Sequence, residues 1–396
     1  MTIPEFRALL PIGLTVTLGF GLVVPILAPF ARSFGIGLTL VGLVQLVFGL
    51  TRFSFGLIGG LVVDRFGVRA STVTGILIVA ASSYVAGFAQ NFPQLILARG
   101  FGGAGSALFI AGLMNRILQI VPPGAMGRAT GISRSSFLIG LAIGPLVGGV
   151  LKDQLGFRAP FHIYGTGLLF AAMIAWFAMS KKVEADQAQR LSPIQALRAA
   201  RPLFRDSRYV TALLATAAGW WLLSGPAQQI GSVYAQEELG LSGTAYGISA
   251  ALLALGELLI LLPAGRAADL RGRRFVLLPS LVAAFIATAA VGQIQAAAWL
   301  FFPIMVVIGI AAASGGVAAG GLLADAIPRG GSGTAVGVNQ MAGDFGYMIA
   351  PLSVGAVAES FGYGAAYFVG ALPALLVFLY ALRLPRGRPQ EASATT

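Results

Sequence analysis

Ionisable side chains inside long apolar stretches are the residues of this sequence that could do chemistry. Two acids, Glu257 and Asp344, stand at such positions, as do four arginines: Arg52, Arg99, Arg116 and Arg134. Each is costly to place in lipid, so residues of this kind usually serve a function. An apolar cavity favours the protonated form of a carboxylate, whereas a nearby guanidinium favours the ionised form. The chemistry that these residues could perform is therefore the uptake and release of protons by the two carboxylates.

The composition places these residues in a membrane. The 396 residues are 57% hydrophobic and only 10% charged, whereas a soluble domain carries about 25% charged residues. The net charge of +12 does not indicate nucleic-acid binding, because the positive residues fall in short loops rather than on one basic face. The chain has no cysteine and one histidine, which excludes cysteine-type zinc sites and HExxH. With no P-loop and no GxSxG, we expect neither a cofactor nor an enzyme.

Twelve apolar runs are long enough to cross the hydrocarbon core, since a span needs about 20 residues. They cover approximately residues 8–31, 39–62, 70–89, 93–119, 129–151, 160–180, 209–234, 243–264, 275–294, 299–324, 333–357 and 364–383. The first run is too long for a cleaved signal core and is interpreted as a span. With both termini in the cytosol, nineteen Lys and Arg face inward and three face outward. This bias predicts a multi-pass protein with cytosolic termini.

The one long connection, residues 181–208, divides the chain into two halves. We expect an N-terminal six-helix bundle at 1–180, a cytosolic linker at 181–208, and a second bundle with a short cytosolic tail at 209–396. Ser192 and Pro193 suit a helix start, so the linker is predicted to hold a short surface helix; a flexible linker is the alternative.

A charged elbow occurs once in each half. Gly60–Arg69 has the order Gly60, Asp64, Gly67, Arg69, and Gly265–Arg274 repeats Gly, Asp, Gly and Arg at the same spacing. Each elbow joins two apolar runs, which indicates a duplicated bundle. Span five adds glycines four residues apart at Gly140, Gly144 and Gly148, with Pro145 bending the helix. This face is expected to rock against the second half; ordinary tight packing is the alternative.

Four sequence elements, including the elbow and the span-five glycines, together resemble motifs of the major facilitator superfamily. The elbow Gly60–Arg69 resembles that family's signature cytosolic loop, and Gly131, Gly140, Gly144-Pro145 and Gly148-Gly149 resemble its antiporter motif. Leu18-Gly19 with Pro25 and Pro29 is similar to a motif of the drug:proton antiporter branch, and Arg99 with Gly103 and Gly105 is similar to a further element of the family. Val68 and Leu270 depart from the pattern, standing where basic residues are usual.

The resemblance implies an all-α membrane protein with twelve transmembrane helices in two pseudo-symmetric six-helix bundles. It also implies that spans two and eleven face each other, as do spans five and eight. Asp64 would then face the positive N-terminus of span eleven and hold the cytosolic side shut; a solvated loop charge is the alternative. The expected gating residues are Asp64, Arg65, Arg69, Asp269, Gly144, Pro145 and Gly148.

Depth and facing together predict two charge pairs, Arg52–Asp344 and Arg134–Glu257. Arg52 and Asp344 stand about ten residues from the inner ends of their spans, roughly 15 Å deep. Moving the two members of such a pair apart would change the proton affinity of its carboxylate. Glu257, Asp344 and Arg99 are therefore the expected proton-coupling residues. Static salt bridges are the alternative.

Polar and aromatic side chains that share helix faces mark the expected substrate cavity, with packing as the alternative for any one of them. The cavity residues are Gln45, Arg52, Arg134, Trp221, Gln228, Gln340 and Tyr347. Aromatic walls with few polar groups suit an amphipathic ligand.

The sequence thus predicts a monomeric, alternating-access transporter of the bacterial inner membrane that exports small drug-like compounds against protons. Its partners would be a small-molecule substrate, protons and the lipid bilayer, with no nucleic acid and no metal. The alternative is transport of a specific organic anion or metabolite, which four intramembrane arginines against two acids would favour.

Overall fold

Helices make up nearly all of the described chain. The computed structural model describes residues 4–121, 126–179, 201–327 and 332–385. The first half holds α1 (Pro4–Arg32), α2 (Leu38–Phe66), α3 (Val68–Phe88), α4 (Phe92–Ile120), α5 (Met126–Leu155) and α6 (Ala159–Ala178). The second half holds α7 (Ser207–Leu222), a π-helical segment (Leu223–Ile230), α8 (Gly231–Glu237), α9 (Gly243–Arg271), α10 (Arg273–Val291), α11 (Phe301–Ala326) and α12 (Ser332–Ala381). Short 3₁₀ helices at Arg201–Arg205 and Gln295–Leu300 precede α7 and α11.

The helices have the length and composition of membrane spans. Ten stretches within the described residues are long and apolar enough to cross a bilayer, and one of them covers Ala335–Ala381. That stretch bends sharply at Gly362, whose φ of 81° separates two helices. With the two halves of this stretch counted separately and α5 added, the described helices are consistent with the predicted twelve spans.

Sharp glycine turns record the duplication in the backbone. Among described residues, positive φ occurs only at glycines: Gly35, Gly67, Gly156, Gly240, Gly272 and Gly362. They form three pairs, 35 with 240, 67 with 272 and 156 with 362, separated by 205, 205 and 206 residues. The two elbows share one geometry, with φ/ψ of 85°/156° at Gly67 and 94°/154° at Gly272. Only glycine adopts this conformation without strain, so the turn residue follows from the backbone path.

The chain forms two compact units, each with its own core. Unit 1 contains residues Met1–Ala188 and Ala235–Ala251, and unit 2 contains Gln189–Tyr234 and Leu252–Thr396. In unit 1, α5 packs along α1, and α4 packs between α2 and α3. In unit 2, α12 packs along α7, and α11 packs on α10. The pairs α1–α5 and α7–α12 are therefore equivalent pairs in the two halves.

The long connection is described only at its end. The predicted helix from Ser192 and most of the 181–208 linker lie outside the described residues. Arg201–Arg205 is a single 3₁₀ turn, and Asp206 caps α7 by accepting a hydrogen bond from the Arg208 backbone N–H at 2.8 Å. The Arg208 side chain also hydrogen-bonds the Asp206 carboxylate, which lowers the pKa of that acid.

Candidate functional site

The elbow of unit 1 is anchored by an aromatic contact. The Arg69 guanidinium lies 4.3 Å from the ring centroid of Trp176 on α6, a geometry in which a cation is attracted to the ring face. Arg65, at the end of α2, is exposed and lies 5.6 Å from the centroid of Phe66. The backbone of Asp64 belongs to α2, but its side chain lies outside the described part of the chain, so its expected contact stays a prediction.

The elbow of unit 2 holds an ion-pair network. Arg273 pairs with Asp269 one helical turn away and, through Nε, with Asp325 on α11 at 3.3 Å. Its neighbour Arg274 donates a hydrogen bond to the Leu384 carbonyl after α12. The predicted gating residue Asp269 therefore takes part in a network that ties α9, α10 and α11 together. The sequence motif identified the elbow, whereas the role of Asp325 depends on tertiary packing.

Arg99 lies deep inside unit 1. Its side chain is 2% exposed, and its guanidinium lies 4.9 Å from the Phe48 ring centroid on α2. The glycines that follow it let α4 approach its neighbours: a Cβ at Gly103 would overlap the Phe48 carbonyl. The Thr51 hydroxyl also donates to the Gly100 carbonyl at 2.8 Å. The motif around Arg99 is thus a close helix crossing that surrounds a buried cation.

Arg116 has a partner that the sequence did not indicate. Its Nε and Nη2 donate to the two Glu5 carboxylate oxygens at 2.6 and 2.7 Å, and Nη1 donates to Gln119 at 3.0 Å. The pair joins the start of α1 to the end of α4 and leaves the Arg116 side chain only 8% exposed. One of the four intramembrane arginines is therefore neutralised inside its own unit.

Removing one partner of this pair should destabilise unit 1 more than a surface change of the same type. Glu5→Gln leaves the Arg116 charge buried without its counter-ion, which costs about 3 kcal/mol. We expect a clear loss of thermal stability in detergent, partly recovered in the double variant Glu5→Gln/Arg116→Gln. Glu238→Gln, at an exposed position, is the matched control. Equal stability of Glu5→Gln and Glu238→Gln would contradict the assignment.

The glycines of span five face α1. A Cβ at Gly140 would overlap Thr17, one at Gly144 would overlap Gly21, and one at Gly148 would overlap the Leu22 carbonyl. The expected surface for rocking against the second half is thus occupied by α1, inside unit 1. Gly149 differs, because its Cβ would meet the Gly243 carbonyl at the start of α9.

Unit 2 contains Trp221 and Tyr347, the two aromatic residues predicted for the cavity, and the neighbouring Trp220. The Trp220 and Tyr347 rings meet edge to face with centroids 5.8 Å apart, and Trp221 Nε1 donates to the Gly370 carbonyl at 3.2 Å. A Cβ at Gly343 would meet Trp220. These contacts join α7 to both parts of α12 and fix the orientation of both tryptophans.

The two intramembrane acids of unit 2 lie on different helices, Glu257 on α9 and Asp344 on α12. Gln340 Nε2 donates to Asp344 Oδ1 at 3.4 Å, which confirms that these two residues share a face of α12. Gln340 is exposed, Asp344 and Gln228 are half-buried, and Glu257 is half-buried on α9. In unit 1, Gln45 is buried and Arg52 is half-buried, both on α2. Arg134 lies on α5 with its side chain outside the described part. Because Arg52–Asp344 and Arg134–Glu257 each combine residues of both units, the two pairs remain predictions.

Sequence reasoning missed the π-helical segment in span seven. It covers Leu223–Ile230, contains Pro226, and includes the expected cavity residue Gln228. It packs against α12, since a Cβ at Gly225 would meet Ala350 and one at Gly370 would meet Pro226. Pro226 within an apolar helix was the available signal, because proline removes a backbone hydrogen bond.

A duplicated set of apolar helices with charged elbows and buried ions defines a multi-pass membrane transporter. Residues 9–234 and 227–396 match the Major Facilitator Superfamily, and the chain belongs to that family.

Several relatives share part or all of this architecture. An uncharacterized MFS-type transporter of Methanocaldococcus jannaschii is 29% identical over 165 residues, 42% of this chain and 43% of the relative. The quinolone resistance protein NorA of Staphylococcus aureus is 27% identical over 178 residues, 44% of this chain and 46% of NorA. The matches thus span less than half the length of these curated relatives.

Two solved structures match over nearly their whole lengths. The nucleoside transporter NupG has a TM-score of 0.80 at 15% identity, covering 97% of this chain and 100% of NupG. A D-xylose-proton symporter has a TM-score of 0.76 at 15% identity, covering 97% and 98%. At this identity the likeness establishes the fold alone.

Proposed function

We propose that this transporter is a proton-coupled antiporter that exports small amphipathic compounds by alternating access. The observation that carries the proposal is the half-buried carboxylate of Asp344, which shares a face of α12 with Gln340 and lies three residues before Tyr347 of the Trp220–Tyr347 aromatic pair. An acid inside a membrane helix can take up a proton, and aromatic walls with few polar groups suit an amphipathic ligand. The partial match to NorA, a protein named for quinolone resistance, supports the same direction.

The remaining parts of the proposal follow from charge and family. The protein would work as a monomer in a bacterial inner membrane with both termini in the cytosol, because Lys and Arg are concentrated on one side. Members of the family are transporters rather than enzymes, and the proposed mechanism requires no cofactor.

Transport of a specific organic anion is the second candidate. It was favoured by the excess of intramembrane arginines, but Arg116 is neutralised by Glu5. The excess that could attract an anion is therefore smaller than the sequence suggested. Arg52, half-buried on α2, remains the residue on which this candidate depends.

A substrate comparison in proteoliposomes separates the two candidates. With a proton gradient imposed, we expect movement of a lipophilic cationic dye to exceed that of small organic anions by about tenfold or more, a difference of ~1.4 kcal/mol. Collapse of the gradient with an ionophore should remove the difference. Movement of the anions without movement of the dye would favour the second candidate. Movement of both that does not depend on the gradient would contradict proton coupling.

A further inference from the structure

Residues Ala235–Ala251, here called the outer hairpin, continue directly from unit 2 but pack with unit 1. They comprise the end of α8, the turn at Gly240 and the start of α9. On both sides the chain returns to unit 2, at Tyr234 and at Leu252. The outer hairpin lies at the end of unit 1 opposite the elbow. The charge bias predicts that this end of unit 1 faces outward.

An acid at the end of α5 holds the start of α9. Asp153 Oδ1 accepts a hydrogen bond from the Gly243 backbone N–H at 3.0 Å. Its Oδ2 accepts from the Thr244 backbone N–H and from the Thr244 hydroxyl, both at 2.7 Å. The N-terminus of a helix carries partial positive charge and free N–H groups, so the Asp153 carboxylate clasps α9 where the attraction is strongest.

Two further side-chain contacts join the outer hairpin to the rest of unit 1. Lys152 Nζ donates to Gln236 at 2.8 Å. Arg32, at the end of α1, forms a two-bond ion pair with Glu237 at 2.9 and 3.0 Å.

The backbones approach closely at the same place. A Cβ at Gly149 would overlap the Gly243 carbonyl, and a Cβ at Gly247 would meet the Pro145 carbonyl. Pro145 and Gly149 belong to the antiporter-like motif of span five. Two of its positions therefore contact the outer hairpin rather than α1 alone.

Irregular backbone precedes the outer hairpin. The π-helical segment Leu223–Ile230 ends five residues before Ala235, and Pro226 lies inside it. Between them, Tyr234 is buried in unit 2 with ring centroids 5.0 Å from Tyr363 and 5.1 Å from Tyr367. π-helical turns are frequent at functional sites, and proline allows a helix to bend. Span seven is thus fixed to unit 2 up to Tyr234 and fixed to unit 1 beyond it.

We propose that the outer hairpin is a hinged gate: the π-helical segment is its hinge, and Asp153 is its latch on the N-terminus of α9. Release of the latch would free Ala235–Ala251 from α1 and α5 and open the outer end. The proposal rests on transport by alternating exposure, but on neither the proton nor the drug-like substrate proposed above.

The latch is not itself the proton sensor. Burial alone would raise the pKa of Asp153, but the Thr244 hydrogen bonds and the adjacent Lys152 ammonium outweigh it and lower the pKa to about 2. A detached carboxyl titrates near pH ~3.9. The latch therefore contributes fully above that pH and weakens only as pH falls towards 2, so it stays ionised in any ordinary external medium.

Thiol labelling tests the latch without knowledge of the substrate. The natural chain has no cysteine, so Ile26→Cys provides a single thiol. Ile26 is 4% exposed and lines a cavity of ≈ 10 Å³ with the hairpin residues Gln236, Gly243 and Tyr246. In right-side-out vesicles we expect slow addition of this thiol to a membrane-impermeant maleimide. Adding Asp153→Asn should speed labelling by about tenfold, because a charge-assisted hydrogen bond is lost, and the milder Thr244→Val should speed it less.

Glu238→Gln, an exposed charge change in the same hairpin, is the control and should leave the rate unchanged. Equal labelling rates for the Asp153→Asn and Glu238→Gln backgrounds, in protein that elutes as a folded monomer or oligomer, would overturn the latch. Because no transport is measured, this result is independent of whether the proposed drug export is correct.

A cross-link and a hinge variant test the gate. Oxidation of Asp153→Cys/Thr244→Cys by copper phenanthroline removes two protons and two electrons and forms a disulfide. Transport of the lipophilic cationic dye or of the small organic anion, whichever moves in the proteoliposome comparison above, should stop and should return on reduction. Pro226→Ala, which restores a backbone donor in the hinge, should change the Ile26→Cys labelling rate severalfold. Pro263→Ala, at an exposed proline in α9, should not. Full transport by the cross-linked protein, or equal labelling rates for the two proline variants, would overturn the gate.

Discussion

Asp344→Asn is expected to abolish the response of transport to a proton gradient while leaving substrate exchange in place. The carboxylate is half-buried on α12 and accepts a hydrogen bond from Gln340 at 3.4 Å. An amide of the same shape keeps the contact with Gln340 but cannot take up or release a proton. We expect gradient-driven transport to fall by about tenfold or more, equivalent to ~1.4 kcal/mol, with folded yield close to that of the parent.

The measurement compares two modes in the same proteoliposomes. Exchange of labelled for unlabelled substrate at equal pH requires no net proton movement, whereas accumulation against a pH step does. Glu257→Gln should behave in the same way, because Glu257 is the other intramembrane acid proposed to couple. Glu238→Gln, outside the spans, is the matched control and should retain both modes. If Asp344→Asn and Glu257→Gln both respond fully to the gradient, these acids do not couple protons to transport.

The sequence predicted the features that local pattern determines. Apolar runs of about 20 residues become helices because lipid leaves no other way to satisfy their backbone groups. The elbows follow from glycines that must adopt positive φ, as Gly67 and Gly272 do with φ of 85° and 94°. The shared face of Gln340 and Asp344 follows from helical periodicity alone.

Partners brought together by tertiary packing were not readable in the same way. Glu5 and Arg116 are 111 residues apart, and nothing in either segment specifies the other. The glycines of span five signalled a close approach but not which helix approaches, since a glycine face suits any backbone. The π-helical turn around Pro226 was also missed, because proline signals a disturbed helix without specifying how the remaining bonds rearrange.

The crossing of α1 and α5 gives the second large expected effect, at Gly144. A Cβ there would lie 2.6 Å from the Leu18 carbonyl oxygen and 2.7 Å from Gly21 Cα. Both obstacles are backbone, so no rotamer change can relieve them and the helices must separate. Gly144→Ala should therefore destabilise the protein by about 1–3 kcal/mol, and Gly144→Val should leave little folded protein.

The control for Gly144 lies on the partner helix, and the outcome separates packing from gating. Among the residues that the structure describes, no heavy atom lies within 4 Å of a Cβ placed on Gly13 of α1, so Gly13→Val should keep parental stability and transport. Thermal stability in detergent and transport per folded molecule are measured for Gly13→Val, Gly144→Ala and Gly144→Val. If Gly144 served gating alone, Gly144→Ala would lower transport per folded molecule without lowering thermal stability. If Gly144 packs against Gly21, Gly144→Ala must lower thermal stability. Parental stability of Gly144→Val would mean that α1 and α5 do not meet at this residue.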